Sequence, residues 1–105
     1  MKQILNVTLV EMDLIWEDPE ANRASLEKKI VSHSSPTDIF ILPEMFTCGF
    51  TMNPDKVAEP MFGETYIWLQ DLSAQTKTAI CGSIPVMEKD KYYNRFLFVA
   101  PSEDL

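Results

Sequence analysis

The sequence has 105 residues, of which 46 % are apolar, 16 are acidic and nine are basic, so the net charge is −7. This length suits one domain or part of a larger one, and the apolar fraction is typical of a globular protein. The charge excludes the basic surface that nucleic-acid binding requires. No apolar run approaches the roughly 20 residues that span a bilayer, and the acidic excess disfavours an anionic membrane surface.

The cysteines indicate a compartment rather than a site. Cys48 and Cys81 are the two cysteines of the sequence, and they do not form a CxxC pair. This spacing does not suit a zinc site, and a small secreted scaffold would carry more cysteines. The N-terminal segment also lacks the apolar core of a signal peptide. We therefore expect a cytoplasmic protein.

The first half of the chain predicts strand, helix and strand in that order. Gln3–Met12 alternates and is rich in β-branched residues, which predicts a strand. Asn22–Ser32 places apolar residues on a charged background at helical spacing. Asp38–Leu42 is a nearly continuous apolar run, typical of a strand buried on both faces of a parallel sheet.

The second half predicts a long loop, a helix and two strands. Met45–Pro60 has no period and is interrupted by glycine and proline. Gly63–Lys77 reads as a helix and Thr78–Val86 as a strand, and after a polar turn Tyr92–Ala100 returns antiparallel. The order β-α-β-α-β-β predicts an α/β fold with a mostly parallel sheet and one antiparallel strand.

Glu44 is the leading candidate for a catalytic residue. Ligands of open α/β sheets gather beyond the carboxyl ends of the parallel strands, and Glu44 follows the apolar run and Pro43 at that place. A carboxylate that is partly desolvated over an apolar wall suits general-base catalysis. A solvated loop residue or a cap on the following turn is the alternative interpretation.

The other candidates are weaker. Cys48 lies four residues after Glu44, but no positive neighbour in the sequence favours its thiolate, and a buried small side chain explains it as well. Cys81 lies in an apolar strand, and His33 lies at a predicted helix end. The loop methionines and phenylalanines line either a substrate pocket, with Phe46 as the tentative lining residue, or the interior of the loop. For three carboxylates in or beside the loop, Asp55, Glu59 and Glu64, a solvated face is as good an explanation as a functional role.

Three segments resemble the carbon–nitrogen hydrolase (nitrilase) superfamily. Residues 38–50, DIFILPEMFTCGF, resemble its first catalytic motif, in which an apolar strand ends in Pro-Glu. Residues 79–83, AICGS, and 93–96, YNRF, match in order and spacing. The form of these segments is most similar to the bacterial omega-amidase branch, which hydrolyses ω-amides of 2-oxo acids such as 2-oxoglutaramate. The resemblance extends over the whole chain.

The resemblance implies a Glu-Lys-Cys triad that needs no metal or cofactor. The family's cysteine attacks the amide carbon, its glutamate acts as general base and its lysine stabilises the oxyanion. The glutamate corresponds to Glu44, whereas the lysine and cysteine motifs are expected beyond Leu105. The family fold is a four-layer αββα sandwich, so residues 1–105 are expected to be the N-terminal portion of an incomplete carbon–nitrogen hydrolase domain.

Three hypotheses follow from these observations. The first is a portion of an amidase acting on a small carboxylated amide, inactive by itself and prone to form homo-oligomers or otherwise self-associate. The second is a non-catalytic α/β interaction module derived from the same fold. The third is a small enzyme that uses Glu44 and Cys48 alone.

Overall fold

One mixed β-sheet with two helices on one face makes up residues 4–101, which are the residues described by the structure, a computed structural model. Its elements in chain order are β1 (Val7–Leu9), α1 (Pro19–Val31), β2 (Ile39–Ile41), β3 (Glu59–Pro60), α2 (Glu64–Thr76), β4 (Ala79–Glu88) and β5 (Lys91–Val99). A short 3-10 turn, Pro54–Lys56, lies in the loop between β2 and β3.

The sheet is organised around β4. The first half of β4 pairs in parallel with β2, which pairs in parallel with β1. The second half of β4 pairs in parallel with the two-residue strand β3. On its other edge β4 pairs antiparallel with β5 along its length, from Ile80 opposite Val99 to Glu88 opposite Lys91. The predicted α/β fold, with a mostly parallel sheet and one antiparallel strand, is confirmed.

Besides shifts of one or two residues at other element ends, the observed elements differ from the prediction in three ways. The strand predicted over Gln3–Met12 is paired at Val7–Leu9 within the described residues, and Gln3 lies outside them. Helix α1 begins at Pro19 rather than at Asn22, because the Asp18 side chain accepts the Ala21 N–H at 3.1 Å and a proline fits the first helical position. Strand β3 was not predicted, since two residues have no periodicity and one of them is a proline.

The β4–β5 hairpin follows the predicted polar turn. Lys89 and Asp90 form its two-residue loop, and both have positive φ, at 52° and 64°. A two-residue turn with positive φ at both positions matches the twist of the flanking strands. The turn therefore fixes the register in which β5 pairs with β4 from Ile80 to Glu88.

The core lies between the sheet and the helices. Leu26 of α1 and Leu69 of α2 are fully buried against Ile80 of β4 and its neighbours. Gly82 of β4 pairs with the buried Leu97 of β5, so alternate residues of both strands face this core. No helix within residues 4–101 is long and apolar enough to cross a bilayer.

The opposite face of the sheet is apolar and uncovered in this chain. Leu9, Ile41, Cys81 and Phe98 are successive partners across β1, β2, β4 and β5, and paired residues share a face. Leu9 is 67 % exposed and Phe98 is 54 % exposed, and the next residue on this face of β5, Phe96, is 63 % exposed. We call this surface the open face.

Candidate active site

Glu44 begins a tight turn just beyond the carboxyl end of β2. The Leu42 N–H still donates to the Cys81 carbonyl at 2.8 Å, so the chain remains beside β4 for one residue after the strand. Pro43 has no N–H to continue the ladder, and residues 44–48 then form a turn. The structure therefore puts Glu44 at the sheet edge where the sequence predicted it.

Ser83 of β4 holds the turn that carries Glu44. Its Oγ accepts the Met45 N–H at 2.9 Å, and its carbonyl accepts the Phe46 N–H at 3.1 Å. The turn is tightened by the Gly49 N–H, which donates to the Met45 carbonyl at 2.8 Å, while Met45 takes a positive φ of 53°. Two bonds from one residue thus fix the backbone on the C-terminal side of Glu44.

The Glu44 carboxylate contacts β5. Asn94, which lies opposite Pro85 in the β4–β5 pairing, donates from Nδ2 to Glu44 Oε2 at 2.8 Å. Both side chains are exposed, whereas the sequence predicted a partly desolvated carboxylate at position 44. The carboxylate is therefore accessible in the described chain and is oriented by an uncharged donor.

A cleft of about 300 Å³ opens beside this carboxylate. Its apolar wall is formed by side chains of β2 and β5, and its polar groups come from the turn, β4 and β5; together the lining residues are Ile41, Leu42, Glu44, Gly82, Ser83, Asn94 and Phe96. The predicted apolar wall beneath Glu44 is thus present. An open apolar cleft with few convergent polar groups is the usual form of a small-molecule site.

Phe46, the tentative pocket residue, lies outside this cleft. Its side chain is fully buried, and its ring lies 6.0 Å from the Trp68 ring of α2, centroid to centroid. It also packs beneath Gly82, whose missing Cβ would lie 2.8 Å from Phe46 Cδ2. Phe46 therefore supports the floor of the site from the core side of the sheet and does not line the cleft.

Cys48 is buried in a small cluster of its own with Met45 and Val57. Its Sγ donates to the Gly49 carbonyl at 3.2 Å. Burial raises the pKa of the Cys48 thiol, opposed in part by hydrogen bonding to Thr47, and the charges of Glu17 and Glu59 raise it further. These effects favour the neutral thiol, which is a poor nucleophile, and they support the interpretation of Cys48 as a small core residue.

Cys81 and His33, like Cys48, make packing contacts and lie outside the cleft beside Glu44. Cys81 is a free thiol within β4, and burial raises its pKa. The His33 ring packs edge-on against Phe40, 5.5 Å between centroids. Within residues 4–101, no three side chains among histidine, cysteine, aspartate and glutamate are grouped so that they could hold a metal ion.

Of the three loop carboxylates, Glu59 is largely buried and does not belong to a solvated face. The Glu59 side chain is 14 % exposed, lies 3.7 Å from Arg23 Nη1, and accepts the Thr65 N–H at 2.7 Å. Arg23 also donates to Thr65 Oγ1 at 3.0 Å and to Glu64 Oε2 at 3.1 Å. This network joins α1 to the start of α2 and holds the loop that follows the Glu44 turn.

Sequence reasoning missed Ser83 and Asn94 as site residues. Both lie in the segments that carried the family resemblance, residues 79–83 and 93–96, so a signal was available. Neither residue is close to Glu44 in sequence, and only the pairing of β4 with β2 and β5 brings them together.

A carboxylate beyond the carboxyl ends of parallel strands, beside a cleft on an α/β sheet, lies where ligands of open α/β folds bind. The family model described as carbon–nitrogen hydrolase matches residues 6–105. The chain belongs to this carbon–nitrogen hydrolase family.

Within this family, the chain is similar to proteins named omega-amidase and 2-oxoglutaramate amidase. The chain is 38 % identical over 97 residues to the omega-amidase YafV of Yersinia enterocolitica and 31 % identical over 98 residues to that of Escherichia coli. It is 25 % identical over 99 residues to the 2-oxoglutaramate amidase of Bacillus subtilis. These matches cover 92 % of this chain but only 37 % or 38 % of each relative.

A solved structure supports the assignment to the carbon–nitrogen hydrolase family. A carbon–nitrogen hydrolase superfamily protein from Xanthomonas campestris superposes with a TM-score of 0.86 at 35 % identity, over 92 % of this chain and 37 % of that one. An N-terminal amidase superposes with a TM-score of 0.76 at 17 % identity, which supports the fold alone.

Proposed function

We propose that this chain is the N-terminal portion of an omega-amidase-type hydrolase, in which Glu44 is the general base. The substrate would be a small carboxylated amide, of the class to which 2-oxoglutaramate belongs, and the products its acid and ammonia. The observation that carries the proposal is the Glu44 carboxylate, oriented by Asn94 at the mouth of an apolar cleft of about 300 Å³. Its support from relatives is the similarity to proteins named omega-amidase and 2-oxoglutaramate amidase.

The proposed reaction has two stages, formation of a thioester and its hydrolysis. Glu44 takes the proton of the family's cysteine thiol, and the sulfur attacks the amide carbon. The resulting oxyanion is stabilised by the family's lysine. As it collapses, Glu44 returns the proton to the amide nitrogen, so the C–N bond breaks, ammonia leaves and a thioester remains. A water molecule that loses a proton to Glu44 then attacks the thioester and breaks the C–S bond. Glu44 returns that proton to the sulfur, so the acid is released and the thiol is regenerated.

The residues of this chain supply the base and part of the cleft. The cysteine and lysine would come from the remainder of the full-length enzyme, since the chain spans 37 % of the length of the first relatives. We also propose a cytoplasmic location, because both cysteines are free and buried, as is usual in reducing compartments.

The test compares ammonia release from 2-oxoglutaramate by three proteins: the full-length enzyme, its Glu44→Gln variant, and residues 1–105 alone. Glu44→Gln keeps the size of the side chain and removes the base, so kcat should fall by at least about 10²-fold. Residues 1–105 should release no ammonia, because no thioester forms without the nucleophile. Near-normal activity of Glu44→Gln would remove Glu44 from the mechanism.

One observation favours a second candidate function, the non-catalytic interaction module. The open face exposes large apolar side chains, among them Leu9, Phe96 and Phe98, and such a patch is typical of an association surface. The same assay separates the two functions. If the full-length protein folds but neither it nor its Glu44→Gln variant hydrolyses an ω-amide, the result supports the interaction module.

A further inference from the structure

We propose that Asn94 is a positioning residue for Glu44, which it holds in the orientation that a general base requires. The inference rests on the proposed function and deepens it. It adds a residue from β5 to a mechanism for which the sequence supplied only Glu44.

The first support is the geometry of the contact. The Asn94 amide donates to one carboxylate oxygen, Glu44 Oε2, and so leaves Oε1 free to accept a proton. A glutamate side chain has three rotatable bonds, and an exposed one samples several rotamers. A single directed hydrogen bond across the cleft selects the rotamer in which the carboxylate faces the lining residues.

The second support is that both ends of the contact are anchored on β4. Ser83 binds the turn after Glu44 at two points, through its Oγ and its carbonyl. Asn94 lies opposite Pro85, two residues further along β4, within a continuous antiparallel ladder. The distance between Glu44 and Asn94 is therefore set by one strand and not by two independent loops.

The third support is the absence of charge on the donor. An amide orients a carboxylate without adding the strong attraction of a cation, which would hold the carboxylate in a charged pair and oppose proton uptake. The neighbouring cation, Arg95, is engaged elsewhere: its Nη2 donates to Glu88 Oε1 at 3.1 Å, and its guanidinium stacks 5.0 Å from the Tyr93 ring centroid. Strand alternation thus presents the neutral donor to Glu44 and turns the cation away.

The test uses the full-length enzyme with Asn94→Ala and Asn94→Asp, each made in the native and in the Glu44→Gln background. Kinetics of ammonia release from 2-oxoglutaramate give kcat and KM, and thermal unfolding reports stability. Gln75→Ala is the matched control, because it removes an exposed amide from the far end of α2.

Asn94→Ala should lower kcat by about 10- to 100-fold with KM unchanged, since it misplaces the base without removing substrate contacts. Asn94→Asp should lower it further, because the isosteric carboxylate loses the donor and repels Glu44. Neither change should matter once Glu44 is glutamine, because the two residues act as one unit. Gln75→Ala should retain the native rate.

Four results would overturn the proposal. If Asn94→Asp is milder than Asn94→Ala, or if the loss is equal in both backgrounds, Asn94 acts through packing. If both Asn94 variants keep the native rate while Glu44→Gln loses activity, the proposed role of Asn94 is wrong and the proposed function stands. If Glu44→Gln is itself fully active, the proposed function falls together with the role of Asn94.

Discussion

The Cβ that Gly82 lacks would lie 2.8 Å from the ring carbon Cδ2 of Phe46. It would also lie 3.0 Å from Leu42 Cβ. The first distance is shorter than real Cβ atoms show, and the second is tighter than most of their contacts. Phe46 is fully buried and packed against Trp68, and it has little room to move. The glycine in this strand thus permits close approach of the Glu44 turn to β4.

We therefore expect Gly82→Ala to destabilise the fold by about 1–3 kcal/mol through overpacking. Urea unfolding of the full-length enzyme measures the loss. Phe46→Leu replaces the ring that the added Cβ would contact with a smaller side chain. The double variant Gly82→Ala/Phe46→Leu should therefore be less destabilised than the sum of the single changes. Stability of Gly82→Ala within about 0.5 kcal/mol of the native protein would contradict this account of the glycine.

The Arg23 network gives a second prediction about stability. Arg23→Met would leave the Glu59 carboxylate buried beside Thr65 without its cation, and a loss of about 3 kcal/mol is expected. Adding Glu59→Gln should recover part of this loss, because it removes the uncompensated charge. Glu64→Gln is the matched control, since its side chain is 78 % exposed and its ion pair is expected to contribute less than about 1 kcal/mol. Equal losses from Arg23→Met and Glu64→Gln would show that burial of the network has no energetic effect.

The buried thiols predict a dependence of stability on pH. Burial raises the pKa of Cys48 and of Cys81 in the folded chain, whereas unfolded thiols ionise near about 8.5. Above that pH the unfolded chain loses protons that the folded chain retains, so the free energy of unfolding should fall as pH rises. Cys48→Ala should reduce the slope. Alkylation by iodoacetamide at pH 8 should be far slower in the native protein than in urea, and equal rates would refute the neutral, buried thiols.

The open face predicts self-association of the isolated chain of residues 1–105. The resemblance implies a second sheet on this face in the family fold, and without it Leu9 and Phe98 meet water. Sedimentation velocity should show dimers or larger species, strengthened by salt, which screens the net charge of −7. Phe98→Ser should weaken association. Ile67→Ser is the control on the other side of the molecule, because Ile67 is 53 % exposed on α2. Equal effects of the two serines would exclude the open face as the surface of contact.

The sequence was sufficient wherever the apolar pattern was long or strongly punctuated. Asp38–Leu42 is a nearly continuous apolar run and Thr78–Val86 is largely apolar, and each coincides with a strand, although β4 continues to Glu88. The start of α1 was marked by Asp18 before Pro19, a local signal that the periodicity argument overlooked. The position of Glu44 could be predicted, because it follows directly from the strand that precedes it. Its contact with Asn94 could not, because the two residues are 50 positions apart in the sequence.

The position of Phe46 was beyond local reasoning for a related physical reason. Its direction depends on the positive φ of Met45 and on the gap left at Gly82. The turn that contains Met45 is held by hydrogen bonds to Ser83, and Gly82 lies on a different strand, so no spacing within the loop reports the direction of Phe46.

The double anchorage of the Glu44 turn on Ser83 also bears on how the molecule moves. Met45 and Phe46 lie outside every strand, yet their amide hydrogens are bonded to a residue in the middle of β4. Such amides exchange with solvent only when their partner strand opens, so they should be protected as long as β4 itself is. Glu44 would then belong to the same opening unit as β4, and fluctuations of the loop at residues 49–58 would leave its position unchanged.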